Sequence, residues 1–150
     1  MGKSISIEER ILKTSRVVAI VGLSPDRNKP SYGVARYLKD HGYRIIPVYP
    51  REETILGEKV YASLSMIPEP VEVVDIFRRS DRVAEVVEEA IGIGARAVWM
   101  QEEVVNEIAA ARAREAGLDV VMDRCMKKEH QRMCGEEPLP PGVCELPRDD

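Results

Sequence analysis

The chain has few aromatic residues, few cysteines and no long apolar run. Phe77 is the only phenylalanine and Trp99 the only tryptophan among 150 residues, which leaves no stacking platform for single-stranded nucleic acid. A net charge of −4 further excludes nonspecific binding to a polyanion. No apolar stretch approaches the roughly 20 residues of a membrane helix. Met1 to Arg16 carries Glu8, Glu9 and Arg10 where a secretory signal needs apolar residues. The expectation is a cytoplasmic protein without nucleic-acid or membrane contacts. Cys125, Cys134 and Cys144 are odd in number and lie late in the chain, unlike a secreted disulfide framework. They are expected as free thiols, with disulfide or redox chemistry as an alternative. Cys-x4-His-x3-Cys, built on Cys125, His130 and Cys134 and extended to Cys144, would supply four zinc ligands, but not in the familiar paired Cys-x2-Cys spacing.

Two nucleotide motifs are also missing. The dinucleotide pattern G-x-G-x-x-G needs a second glycine where Ser24 stands, and the next glycine is Gly33. The second strand ends at Val48-Tyr49-Pro50-Arg51 with no carboxylate before Glu52, so the usual ribose partner is absent. No Gly-Lys-Ser/Thr closes a P-loop. Simple NAD binding and simple ATP hydrolysis therefore lose ground.

What is present is an ordinary soluble mixture, 44% hydrophobic and 32% charged, in a length that suits one domain. Val17 to Val21, Tyr43 to Val48, Val71 to Phe77, Ala95 to Met100 and Leu118 to Met122 are apolar runs of the length of buried strands. Between them lie helical patterns. Ser31 is placed to cap a helix from Tyr32 to about Asp40, ended by His41-Gly42. Ser80 is placed to cap another over Asp81 to Ile91, and Asn106 starts one ending at Ala116-Gly117. His41 then meets the negative end of a helix dipole. A short amphipathic helix covers residues 5–13. This alternation gives an α/β fold, a Rossmann-like three-layer sandwich with a mainly parallel five-stranded sheet. The expected strand order is 3-2-1-4-5. The domain is read as 1–132 and a Pro-rich tail as 133–150, with no further regular element after Cys125.

The first strand ends in Gly22-Leu23-Ser24, and a cationic loop with Arg27 and Lys29 leads to Ser31, Tyr32 and Gly33. Such a turn presents backbone N–H groups and a helix start to a phosphate. Gly22 permits close approach, Ser24 and Ser31 supply hydroxyls, and Arg51, Arg78 and Arg79 reach the same rim. Asp123-Arg124 is read as an ion pair finishing the last strand, and Glu85, Glu88 and Glu89 as a solvated helix face.

Gly22-Leu23-Ser24-Pro25, Pro30-Ser31-Tyr32-Gly33-Val34-Ala35, Ile46-Pro47-Val48-Tyr49-Pro50, Asp75-Ile76-Phe77-Arg78-Arg79 and Val121-Met122-Asp123-Arg124-Cys125, with Glu129-His130, closely resemble the small bacterial and archaeal CoA-binding proteins. Those are stand-alone relatives of the N-terminal CoA-binding domain of the succinyl-CoA synthetase alpha subunit. The resemblance covers Thr14 to Arg132. It implies coenzyme A or an acyl-CoA as ligand. The phosphates would be held by Gly22, Ser24, Lys29, Ser31, Tyr32 and Gly33. The adenosine or pyrophosphate side would be lined by Val48, Tyr49 and Pro50, with Ile76, Phe77 and Arg78 across the crevice. Tyr49 departs from the family's usual Asn, and Glu102-Glu103 replaces a glycine-bearing turn. The large synthetases use a phosphorylated histidine in a second domain. The resemblance therefore implies a binding protein without complete ligase chemistry, acting alone, as a homodimer or with an enzyme partner. Alternatives are the CoA-binding subunit of an acyl-CoA ligase, and a NAD-type nucleotide-binding protein.

Overall fold

Val17–Val21 is apolar without a break because both of its faces are covered. A computed structural model describes residues 5–136. In it, β1 (Val17–Val21) lies between β2 (Arg44–Val48) and β5 (Val73–Ile76), and the sheet continues through β6 (Ala97–Met100) to β7 (Asp119–Val121). All neighbouring strands of this sheet run parallel. Successive side chains alternate between two cores, as a pleated strand requires. Val18, Ile20, Ile45, Val73 and Trp99 pack with α1 (Ile7–Thr14), α2 (Pro30–Asp40) and α5 (Met126–Glu136). Ala19, Val21, Ile46, Val74, Ile76, Val98 and Met100 pack with α3 (Val83–Gly92) and α4 (Glu107–Glu115). The result is the Rossmann-like three-layer α/β sandwich.

The strand order differs from the expected one. In sequence numbering of the five large strands it is 2-1-3-4-5, because β5 pairs with β1 rather than outside β2. Pro47 supplies the physical reason. A proline has no N–H for a sheet ladder and belongs on an edge strand. The Pro47 carbonyl accepts from the Tyr61 N–H at 3.0 Å, and the Tyr49 N–H donates to the Tyr61 carbonyl at 3.0 Å. Tyr61 thus occupies the outer edge of β2 as an isolated bridge. The connection beyond it contains a small antiparallel hairpin, β3 (Thr54–Ile55) and β4 (Glu58–Lys59). Glu58 ties this hairpin to α2 through Lys39 at 3.1 Å and to β2 through Arg44 at 2.6 Å.

Three local expectations change. The helix after β1 starts at Pro30, with Lys29 as an N-cap that makes no side-chain bond. Ser31 is inside the helix, and its hydroxyl accepts the Ser24 N–H instead. Ser80 does not cap α3, which begins at Val83 after a 3-10 turn. Its hydroxyl accepts from the Val105 N–H at 3.0 Å, and its carbonyl from Asn106 at 2.9 Å. Cys125 is followed by a helix, α5, because no proline intervenes and Met126, His130 and Met133 form a buried stripe. This helix crosses residue 133, where the tail was expected to begin. Pro138 to Pro147 and Cys144 lie outside the described residues. Asn106 caps α4 as expected, accepting from the Ala109 N–H. His41 caps α2, its backbone N–H bonded to the Tyr37 and Leu38 carbonyls and its Nδ1 2.8 Å from the Tyr37 carbonyl.

Gly22 has φ +85°, and a Cβ added there would overlap the Phe77 carbonyl oxygen. Gly22→Ala is therefore expected to lower unfolding free energy by roughly 2 kcal/mol. At Gly33 a Cβ meets nothing within 4 Å, so Gly33→Ala is expected to be neutral or stabilising by up to about 1 kcal/mol. Urea unfolding of the two variants checks the contrast.

Candidate functional site

The chain leaves β1 and β5 in opposite directions. The segment after Gly22 enters α2 on one face of the sheet, and the segment after Phe77 enters α3 on the other. Parallel sheets bind ligands at such a divergence, outside the strand carboxyl ends. Here the divergence is pinned by backbone contacts. The Gly22 N–H donates to the Val48 carbonyl at 3.0 Å, and the Phe77 N–H donates to the Val21 carbonyl at 2.9 Å. The Gly22 conformation thus serves the approach of two strand ends.

The loop from Ser24 to Lys29 organises itself. The Ser24 hydroxyl accepts from the Asp26 N–H at 3.1 Å, the Asp26 carboxylate from the Asn28 N–H at 2.9 Å, and the Asp26 carbonyl from the Lys29 N–H at 3.0 Å. As acceptors, the Ser24 and Ser31 hydroxyls keep their own protons to donate. Arg27 and Lys29 stand exposed beside them. Among the described residues Arg27, Lys29, Arg51 and Arg78 make no ion pair.

Two clefts share the Arg78-Arg79 wall. The larger, about 630 Å³, lies toward α2 and is lined by Pro30, Val34, Phe77, Gln101, Val104 and Cys125, with Glu102, Glu103 and Asp123 at its side. The smaller, about 360 Å³, lies toward α3 and is lined by Val21, Val48, Ala62, Arg82, Glu85, Val86 and Glu89. Arg79 is paired with Asp81 at 3.4 Å and Arg82 with Glu85 at 3.3 Å, both exposed pairs of little strength. Arg78 therefore carries the uncompensated charge between the clefts.

The structure does not bring every expected site residue into one cleft. Val48 lines the smaller cleft, Phe77 the larger and Arg78 both. Ser24, Lys29, Ser31, Tyr32 and Gly33 line neither cleft; they lie on the loop and first turn of α2 around Pro30, which lines the larger one. Tyr49 packs with the α2 layer, on the face opposite to that of Val48, and Pro50 is exposed. Ile76 is fully buried in the α3 layer, and its carbonyl accepts from the Gln101 N–H at 3.3 Å. Asp123 and Arg124 are both exposed rather than a buried pair. Asp123, at φ +58°, accepts the Glu103 N–H at 2.7 Å and so shapes the loop after β6. Glu102 is paired with Lys128 at 2.9 Å, which offsets its repulsion of an anion. Glu89 is half-buried and accepts from the Ser65 N–H, unlike the exposed Glu85 and Glu88.

Asp75 is the feature that periodicity missed. It sits fully buried on β5, level with Ile20 and Trp99 of the flanking strands. Gln101 donates Nε2–H to its Oδ1, while its Oδ2 has no partner. Burial pushes its carboxyl up to about 7, against the lowering effect of the Gln101 bond. Burial likewise pushes the free Cys125 thiol up, which disfavours a reactive thiolate. Cys134 is disulfide-bonded rather than free. Among the described residues no group of three or more His, Cys, Asp or Glu is arranged for a metal. A zinc set including Cys144 would lie partly outside them. His130 is fully buried, its Nδ1 2.7 Å from the Tyr37 hydroxyl.

The family model of the CoA binding domain matches residues 16–131, and the chain belongs to that family. It is 39% identical over 122 residues to the uncharacterized protein YneT of Bacillus subtilis, covering 81% of this chain and 90% of that one. A hypothetical protein from Pyrococcus horikoshii has the same fold, with TM-score 0.83 and 39% identity over 90% of this chain and all of that one. A segment is related to ADP-forming acyl-CoA ligases. It is 29% identical over 82 residues to the ADP-forming acetate–CoA ligase of Methanocaldococcus jannaschii, 55% of this chain but 12% of that one. Among the described residues no helix is long and apolar enough to cross a membrane.

A carboxyl that is harder to ionise when folded makes stability fall as pH rises, because the folded state then binds the extra proton. For Asp75 the loss begins above its ordinary value of 3.8 and is complete above about 7. Asp75→Asn removes it. Between pH 5 and pH 8 the variant is expected to gain about 2–3 kcal/mol relative to the parent. Urea unfolding at both pH values measures this difference.

Proposed function

We propose, from membership of the CoA binding domain family and the charge of the rim, that this chain binds coenzyme A or acyl-CoA as a carrier or sensor, with no catalysis of its own. The phosphates lie against Ser24, Lys29, Ser31, Tyr32 and Gly33 and against Arg78. Val48 and the second-strand end carry the adenosine side. The uncharged arm follows Phe77 into the larger cleft. The observation that carries the reading is the set of exposed, unpaired cations at a strand divergence, Arg27, Lys29, Arg51 and Arg78, in a chain of net charge −4. A concentrated anion satisfies them without desolvating a buried pair. Both histidines are engaged in packing between α2 and α5, which supports binding rather than phosphoryl transfer through histidine.

The second reading is a CoA-binding subunit whose ligase chemistry is completed by a partner. It is favoured by the similarity to a segment of the ADP-forming ligase. Kinship with the succinyl-CoA synthetase alpha subunit is its narrower form. Acetate, ATP and CoA turned over only after addition of a nucleotide-binding partner would support it. Cytoplasmic location and a homodimer belong to the same proposal.

Calorimetric titration with CoA, dephospho-CoA, NAD and ATP tests the binding claim. CoA is expected to bind most tightly, because it alone in this set adds a 3′-phosphate to an adenosine diphosphate. Arg78→Ala is expected to weaken CoA by about tenfold and to flatten its salt dependence. NAD binding as tightly as CoA would contradict the assignment.

A further inference from the structure

The floor of the larger cleft differs from its rim. The rim carries Arg78, Arg79, Glu103 and Asp123, all exposed. The floor carries Gln101 and Cys125, 3% and 8% exposed. An uncharged floor below a cationic rim suits a ligand whose phosphates stay outside and whose neutral end enters. The polar side chain on that floor is itself held from below. Gln101 turns its Nε2–H toward Asp75 Oδ1, which leaves its Oε1 as the acceptor available to the cleft.

We propose that Asp75 is a positioning residue: by fixing which end of the Gln101 carboxamide faces the cleft, its protonation state selects between a free thiol and an acyl thioester at the end of bound CoA. The inference rests on the CoA reading above and adds which chemical end is recognised, and by what. Ionised Asp75 accepts from Nε2–H and presents Oε1, which matches a thiol S–H. Protonated Asp75 donates its O–H to Oε1 and presents Nε2–H, which matches a thioester carbonyl. The switch is a rotation of one amide inside a preformed cleft, with no movement of backbone. Its chemistry is confined because few groups face Asp75. The neighbouring strands place Ile20 and Trp99 beside it. α2 contributes Pro30 and Val34 to the cleft, and the turn before α5 contributes the Cys125 thiol. Arg78, Arg79, Glu102 with Lys128, Glu103 and Asp123 are the charges around the rim. Burial places the Asp75 carboxyl near neutrality and moves the thiol away from it, so the carboxyl is the floor group that titrates.

The test is the ratio of the dissociation constants of CoA and acetyl-CoA, measured at pH 6 and pH 8. The ratio removes the titration of the phosphates, which the two ligands share. In the parent protein the preference is expected to move toward CoA at pH 8 by about three- to tenfold, the effect of one hydrogen bond gained or lost. Asp75→Asn, which cannot titrate, is expected to hold a constant ratio, as is Gln101→Met. In the unsubstituted protein, the Gln101 carboxamide nitrogen and the Asp75 carboxyl carbon are expected to titrate together by NMR, so the account does not depend on the variants folding. A ratio that stays constant in the parent overturns the inference and leaves CoA binding intact. A shift that persists in Asp75→Asn also overturns it. If neither ligand binds at either pH, the CoA reading falls with it.

Discussion

The site depends on the approach of two strand ends, Gly22 of β1 and Phe77 of β5. No side chain fits between them, because a Cβ at Gly22 would occupy the place of the Phe77 carbonyl. That contact lets one chain segment leave toward α2 and the other toward α3. The crevice, both clefts and the cationic rim follow from this divergence. A glycine that looks like a phosphate contact in the sequence is first a packing requirement, and phosphate access is a consequence of the geometry it allows.

Among the described residues the buried part of the sheet is apolar on both faces, and Asp75 is the exception. A carboxyl surrounded by Ile20, Trp99 and Gln101 destabilises the folded state whenever it ionises. Its side-chain partner, Gln101, lines the larger cleft. Stability and ligand recognition are thereby linked through one proton. The smaller cleft works differently, since its charges lie at the surface and are partly paired with one another.

Much of the fold was legible in the sequence. The five apolar runs became the five parallel strands, Asn106 became a cap, and His41 ended its helix. The strand order was misread because parallel crossovers permit both arrangements. The discriminating signal was Pro47, whose missing N–H assigns the second strand to an edge. Helix α5 was hidden by its polar exterior, although Met126, His130 and Met133 carry a helical stripe. Of the site, the loop from Gly22 to Gly33 and the Phe77-Arg78 wall were visible as motifs. The family resemblance is what names Tyr49 and Ile76 as ligand contacts. Strand alternation sends Tyr49 to the face opposite to that of Val48, and burial removes Ile76 from the surface. Asp75 stands in the Asp75-Ile76-Phe77-Arg78-Arg79 motif, but its burial and its Gln101 partner follow only from the three-dimensional neighbourhood. Of the two carboxylates in Val71 to Phe77, Glu72 and Asp75, the hint was Asp75, set between Val74 and Ile76 inside the strand.

The most direct test of the account is amide NMR mapping of the isotope-labelled chain during addition of CoA. The account predicts the largest shifts at Ser24, Ser31, Gly33, Arg78 and Gln101, spanning the loop, the shared wall and the cleft floor. Saturable shifts confined to α4 and β7, with this set unmoved, would contradict it.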